Sequence, residues 1–437
     1  MLLRFRAPSS STLSSTTGRA TAAFLILYLL ALSAIRRACH RDPSSAFFQP
    51  YRAHAPRYSV VRRHEAEHFI LAAERSPPFP NTTATAEPPD VCIGIATVAR
   101  EGAPRYFRAA VGSVLDGLDA AERARVHLAL FIAQTDPAAH PAHAEPWLDN
   151  VADRVLRGYE GVSAEELERV RRWEAERGLF RAKGLFDYAY LLQACADTGA
   201  AYVVMLEDDV VALDGWYARM REALRVAEEK TRLVGKESFL YLRLFWTEQF
   251  HGWNSEDWPT YLCGSLAVVA AVLTTLLYLR RRFPAALAGP LDNQLVVVVS
   301  LVFTPLCIGL FFAAGRTCAA PAPSPGVRAM NRFGCCSQGL VFQRRRVPDL
   351  VAHYRAAGVG FVDVLTERYA DERDEMRWAV VPSVLQHVGA RSSKADDGGS
   401  RSPDFSASES IWNYAFELND PVRLAEERIA RAHGQMR

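Results

Sequence analysis

The stretch YLCGSLAVVAAVLTTLLYL, Tyr261 to Leu279, carries no charged residue. A short loop, RRRFPAALAGPLDNQ (280–294), joins it to a second uncharged run, LVVVVSLVFTPLCIGLFFAAG, Leu295 to Gly315. As a helix, each is long enough to cross a hydrocarbon core, which takes about 20 residues. Two such runs so close together form a membrane hairpin. Any domain around them must then be assembled from sequence on both sides of a membrane insertion. A third apolar run, ATAAFLILYLLALSAI, covers Ala20 to Ile35, and Thr16, Thr17 and Gly18 can extend it. It exceeds the roughly 7–15 apolar residues of a cleaved signal, and Arg36 and Arg37 follow it at once, so it reads as an uncleaved anchor.

Arg280, Arg281 and Arg282 begin the hairpin loop. Positive loops stay in the cytosol, which puts both outer flanks of the hairpin in the lumen. None of the three runs has an ionisable residue at its apolar centre, which argues against a transporter. The net charge of +2 and the absence of long basic blocks argue against nucleic acid as a partner. Asn81-Thr82-Thr83 is an N-glycosylation sequon, in keeping with a lumenal glycoprotein. Among the eight cysteines, Cys318 and the Cys335-Cys336 pair flank one loop and are spaced to bridge, but sequence does not fix connectivity.

These features set an expected layout: a cytosolic tail over 1–19, the anchor over 20–35 and a Pro/Ser-rich lumenal stem over 36–90, with a short helix from Val61 to Glu74. The main domain then falls in two parts, 91–260 and 316–395, around the hairpin at 261–315. A linker and a helix at 410–433 complete the chain over 396–437. From Val91 the texture becomes that of an α/β protein. Buried strands are expected at VCIGIATVA, VHLALFIA, AYVVML, FLYLRLFW, QGLVFQRR and WAVVPSVLQHVG, with helical spacing between them. Near-continuous apolar strands alternating with helices imply a mainly parallel sheet covered on both faces, with ligands at the carboxyl ends of the strands.

One strand, YVVML, runs straight into Glu207, Asp208 and Asp209. With a period of two, Glu207 and Asp209 point to one side and Asp208 to the other. Three carboxylates this close repel one another, and a hard divalent cation such as Mn²⁺ or Mg²⁺ supplies the counter-charge. Such an ion bridges to a diphosphate and neutralises a leaving group. His387, at the end of VVPSVLQHVG, offers an imidazole as a further ligand.

The segments IGIATVARE, RAKGLFDYAYLL, MLEDDV and FVDVL…PSVLQHVGARSS match in order the pattern of N-glycan branching N-acetylglucosaminyltransferases. The chain thus resembles a GT-A type nucleotide-sugar glycosyltransferase. The hairpin and the stretch LRLFWTEQFHGW resemble more closely the Golgi family that adds N-acetylgalactosamine to the mannose of GPI anchors. That resemblance covers roughly residues 91–395. It implies a UDP-GalNAc donor, Mn²⁺, inverting transfer, GPI-anchored proteins as acceptors, and a multi-pass Golgi membrane protein with a lumenal catalytic domain. It also implies Asp363 as the catalytic base. Glu207 and Asp208, with Thr97, Arg100, Glu101, Lys183 and Asp187, would contact the nucleotide sugar, and Glu207, Asp209 and His387 the metal. The alternatives are a branching-type N-acetylglucosaminyltransferase and a non-catalytic membrane scaffold with the same fold.

Overall fold

The structure, a computed structural model, describes residues 16–75, 88–99, 106–248, 252–319, 324–330, 334, 336–389 and 411–432. The sequon at Asn81 and the expected site residues Arg100 and Glu101 lie outside the described residues. The chain divides into two compact units, one of residues 1–55 and 248–323, the other of 56–247 and 324–437.

The first unit contains three helices long and apolar enough to cross a membrane: Thr16–Ala38, Ser255–Arg282 and Asn293–Ala314. Leu27, Leu266 and Leu301 are each at least 60% exposed, as side chains that face lipid must be. The first and third spans pack together through Phe24 and Phe303, whose rings stack at 3.9 Å. Within the third span a wider turn at Val299–Phe303 precedes Pro305, which has no N–H to give to the helix. The Thr304 hydroxyl there donates to the Val299 carbonyl. Trp253, Tyr261 and Phe312 cluster at the end of the bundle opposite Arg280–Arg282, as an interfacial aromatic belt does.

The second unit is an α/β body. Its main elements in chain order are α1 (Tyr58–Ala73), β1 (Val91–Thr97), α2 (Tyr106–Leu115), β2 (Val126–Ile132), β3 (Arg154–Arg157), α3 (Ala164–Ala175), α4 (Phe180–Ala196), β4 (Tyr202–Glu207), β5 (Val210–Ala212), α5 (Trp216–Leu233), β6 (Phe239–Arg243), β7 (Gly326–Ala329), β8 (Gly339–Gln343), α6 (Val347–Ala357), α7 (Val362–Glu372), β9 (Met376–Val381), β10 (Leu385–His387), α8 (Tyr414–Glu417) and α9 (Pro421–Ala432). Eight strands form one sheet in the order β3-β2-β1-β4-β8-β6-β9-β7. Its pairings are parallel through β3-β2-β1-β4 and at β6-β9, and antiparallel on both sides of β8 and at β7-β9. β1, β2 and β4 are apolar almost throughout because helices cover both of their faces. β5 and β10 form a separate antiparallel pair.

Two findings refine the expected layout. Helix α1 lies in the stretch that reads as stem, yet it is built into the body. A Cβ on Gly112 of α2 would come within 2.4 Å of the Ala66 carbonyl of α1, so only glycine lets the two helices meet. Arg62 of α1, 1% exposed, donates from Nε to the Ala212 carbonyl of β5 and from Nη2 to the Ser113 carbonyl. The helix expected at 410–433 is two helices, α8 and α9, because Pro421 disfavours helical backbone in the residue before it and occupies the first position of α9. Apolar spacing does not mark α3, which buries only Val170.

The cysteine expectation is corrected too. Cys92 of β1 pairs with Cys195 of α4, and Cys318 is a free thiol. Cys336 is disulfide-bonded.

Candidate active site

β1 and β4 run parallel with Ala96 opposite Glu207, so Thr97 and the acidic triplet reach the same carboxyl edge. The chain turns at Asp208-Asp209 and returns as β5. β10 pairs with β5 so that His387 lies opposite Val210, and the Val388 N–H donates to the Asp209 carbonyl at 2.9 Å. This pairing brings together residues that lie far apart in sequence. Ligand atoms of Glu207, Asp209 and His387 all fall within 4.8 Å of one another. His387 Nε2 is 3.4 Å from Asp209 Oδ2. Two carboxylates and one imidazole suit a divalent cation that prefers oxygen and accepts nitrogen. The backbone leaves room for it: a Cβ on Gly389 would lie 2.2 Å from Asp209 Oδ2.

Each acid has its own support. Glu207 accepts from Ser337 Oγ at 2.7 Å and from Gln338 Nε2 at 3.1 Å, both just before β8. Asp208 points the other way and accepts from the Thr97 hydroxyl at 2.7 Å. Behind Thr97 sits His140, buried, with Nε2 at 3.2 Å from Thr97 Oγ1. The Ala142 N–H donates to His140 Nδ1, which assigns the proton to Nε2. The line His140–Thr97–Asp208 therefore runs donor to acceptor throughout.

The triplet opens into a cavity of about 340 Å³, lined also by Asp187, Tyr188, Phe361 and Asp363. Asp363 stands in the first turn of α7. Its Oδ2 accepts from the Cys336 N–H at 2.8 Å and its Oδ1 from the Val364 N–H at 2.9 Å. One turn further along α7, buried Glu367 accepts from Tyr241 at 2.5 Å, Arg243 at 3.0 Å and Arg377 at 2.7 Å. Burial raises the Glu367 carboxyl, and the two arginines pull it down. Arg243 also donates to the Cys336 carbonyl, so this buried set holds both the helix and the loop around Asp363.

Lys183 and Asp187 lie four apart on α4 and bind each other at 2.7 Å. Lys183 also donates to the Ala133 carbonyl, and Asp187 accepts from Tyr159. Asp187 lines the cavity. Burial raises its carboxyl, and Lys183 opposes that shift. Tyr188 was not marked by the sequence. Its hydroxyl is buried and has no hydrogen-bond partner among the described residues. Burial, then Tyr354, Glu207 and Asp363, hold that phenol well above its ordinary value.

The C-terminal segment, to which the sequence assigns no role, clamps β10. The Gln386 side chain donates to the Asn413 carbonyl and to Glu417, each at 2.8 Å, and accepts from the Asn413 N–H at 3.1 Å. Asn413 Nδ2 reaches the Trp246 carbonyl at 2.8 Å. Glu417 also takes the Arg57 and Ser59 N–H groups at the start of α1. Gln386 is the residue before His387, so the clamp fixes the strand that delivers the imidazole.

An α/β body with a large, mostly parallel sheet and an acidic cluster at its carboxyl edge is a glycosyltransferase-type fold, here in a chain with three candidate membrane helices. Residues 91–386 match the family described as GPI-N-acetylgalactosamine transferase PGAP4, and the chain belongs to that family. No curated protein matches the chain.

Proposed function

We propose that the protein transfers N-acetylgalactosamine from UDP-GalNAc to a mannose hydroxyl of the glycan of GPI-anchored proteins, with inversion, on the lumenal side of the Golgi membrane. The observation that carries this reading is the meeting of two groups in one cavity: Glu207, Asp209 and His387 on one side, Asp363 on the other. Glu207, Asp209 and His387 would hold Mn²⁺ or Mg²⁺. When bound, the ion neutralises the diphosphate and the charge that develops on the departing UDP. Asp208, oriented by Thr97, and Glu207 meet the sugar nucleotide, with Asp187, Lys183, Arg100 and Glu101 as further contacts of this part of the donor.

Asp363 acts as general base. Its carboxylate takes the proton from the acceptor hydroxyl as that oxygen bonds to the anomeric carbon and the bond from that carbon to the UDP oxygen breaks. Attack from the face opposite the leaving group inverts the centre. The N–H groups of Cys336 and Val364 keep the Asp363 carboxylate aimed. In this reading the catalytic domain is one fold interrupted by a membrane hairpin, with the charged hairpin tip in the cytosol.

The test is UDP release by the detergent-purified protein with UDP-GalNAc or UDP-GlcNAc, with and without Mn²⁺ and with a GPI-glycan acceptor. Metal-dependent release that prefers UDP-GalNAc and requires the acceptor supports the assignment. A preference for UDP-GlcNAc returns the branching-type alternative. Failure to bind Mn²⁺ and UDP at all leaves the non-catalytic scaffold.

A further inference from the structure

The residues that follow the first span are stitched to those that follow the third. Ala46 donates its N–H, and Ser45 its hydroxyl, to the Ala313 carbonyl. Arg316 donates its N–H to the Ser44 hydroxyl. Asp42, 3% exposed, accepts from the N–H groups of Thr317 and Cys318 at 2.9 and 3.1 Å. The Asp42 N–H in turn donates to the Cys39 carbonyl. Two cysteines are thus brought together by one short run of backbone contacts. Cys39 is buried and Cys318 exposed, both are thiols in the structure, and the backbone of each is one hydrogen bond from Asp42.

Chain parity sets the chemistry these thiols meet. Among the described residues from Cys39 to the start of the second span there is no candidate span, and after two more crossings the chain emerges at Gly315 on the side it left. Cys39, Cys318 and the whole α/β body therefore share one side of the membrane. The body carries the buried Cys92–Cys195 disulfide, and structural disulfides persist where the surroundings are oxidising. A thiol pair bridged by Asp42 on that side meets the same oxidants.

We infer that Cys39 and Cys318 form an intramolecular disulfide in the mature protein, which locks the anchor span to the second helix of the hairpin. Two S–H bonds are lost and one S–S bond forms. The two electrons and two protons pass to the disulfide of a thiol–disulfide oxidoreductase, which is released as its dithiol. Asp42 is the residue that sets the approach, through the Cys318 N–H and the Cys39 carbonyl. The link ties the three spans into one covalent bundle, independently of what the body catalyses.

The test is peptide mapping of the full-length protein, alkylated during extraction from membranes and digested without reductant. The expected result is a Cys39 peptide joined to a Cys318 peptide beside the Cys92–Cys195 pair, in a chain that runs as a monomer on a non-reducing gel. Cys318→Ser should make Cys39 fully alkylatable while the Cys92–Cys195 pair persists. Alkylated Cys39 and Cys318 beside an intact Cys92–Cys195 bridge overturn the inference. So do a reduced Cys92–Cys195 pair, which removes the oxidising side, and a bond between Cys39 and any other cysteine or a second copy.

Discussion

Two sets of carboxylates face one cavity and are held there by opposite means. Glu207 and Asp209 sit where a buried strand ends, and backbone pairing between β5 and β10 brings His387 beside them. Asp363 sits at the start of a helix whose place depends on a buried ion set, Glu367 with Arg243 and Arg377. The first arrangement is framed by main-chain pairing, with the clamp on Gln386 as its side-chain support. The second is made of side chains, and the loss of one partner leaves buried charge uncompensated. A site that combines them separates two tasks: a stiff frame for the ion and diphosphate, and a charge-dependent mount for the base.

The largest effect is expected on the strand side. Asp209→Ala should lower turnover by about 10³-fold, since a metal ligand is worth several kcal/mol of transition-state charge. Gly389→Ala should approach that loss without removing any ligand, because its Cβ would displace the Asp209 carboxylate. Steady-state kinetics together with Mn²⁺ affinity by electron paramagnetic resonance would check both. Normal Mn²⁺ affinity in Gly389→Ala would show that the glycine does not shape the site.

Asp363→Asn should cost about 10²–10⁴-fold in kcat, the usual range for general-base loss, with Mn²⁺ and UDP binding intact. Rapid-quench measurement of the chemical step would show it. A variant within a few-fold of the parent would move the base elsewhere in the cavity.

Next comes the mount. Glu367→Gln leaves Arg243 and Arg377 without their shared counter-charge and should destabilise the body by about 3–5 kcal/mol. Denaturant unfolding would measure it. Turnover should fall while Mn²⁺ affinity holds, because β5 and β10 do not depend on that ion set. Unchanged stability would mean that packing alone holds α7.

The smallest effect is at the clamp. Gln386→Ala removes the hydrogen bonds of its side chain with Asn413 and Glu417 and should cost about 1–3 kcal/mol. Loosening of β10 should weaken Mn²⁺ binding several-fold. Mn²⁺ affinity equal to the parent's would show that β5 alone positions His387.

The same contrast explains what could be read from the sequence. The acidic triplet is legible because its signal is local: an apolar strand that ends in three acids. The strands of the sheet are legible for the same reason, and Asp208 does part from Glu207 and Asp209, though through the turn after β4 and not through strand alternation. The supports are not legible, because each arises from a distant pairing. His140 meets Thr97 across 43 residues, Arg243 meets Glu367 across 124, and Gln386 meets Glu417 across 31. No spacing rule connects them. The Cys92–Cys195 bridge, 103 residues apart, is hidden for the same reason, whereas Cys318 and the Cys335-Cys336 pair stand out only because they are close in sequence. Short β3 and β7 carry too few apolar residues to stand out, and Pro421 was the one local mark that two helices end the chain.

Calorimetric titration of UDP in saturating Mn²⁺ into the parent, Asp209→Ala and Asp363→Asn tests the division of labour most directly. The account predicts parent-like binding by Asp363→Asn and none detectable by Asp209→Ala. Binding by Asp209→Ala at parent affinity, or its loss in Asp363→Asn, would contradict it.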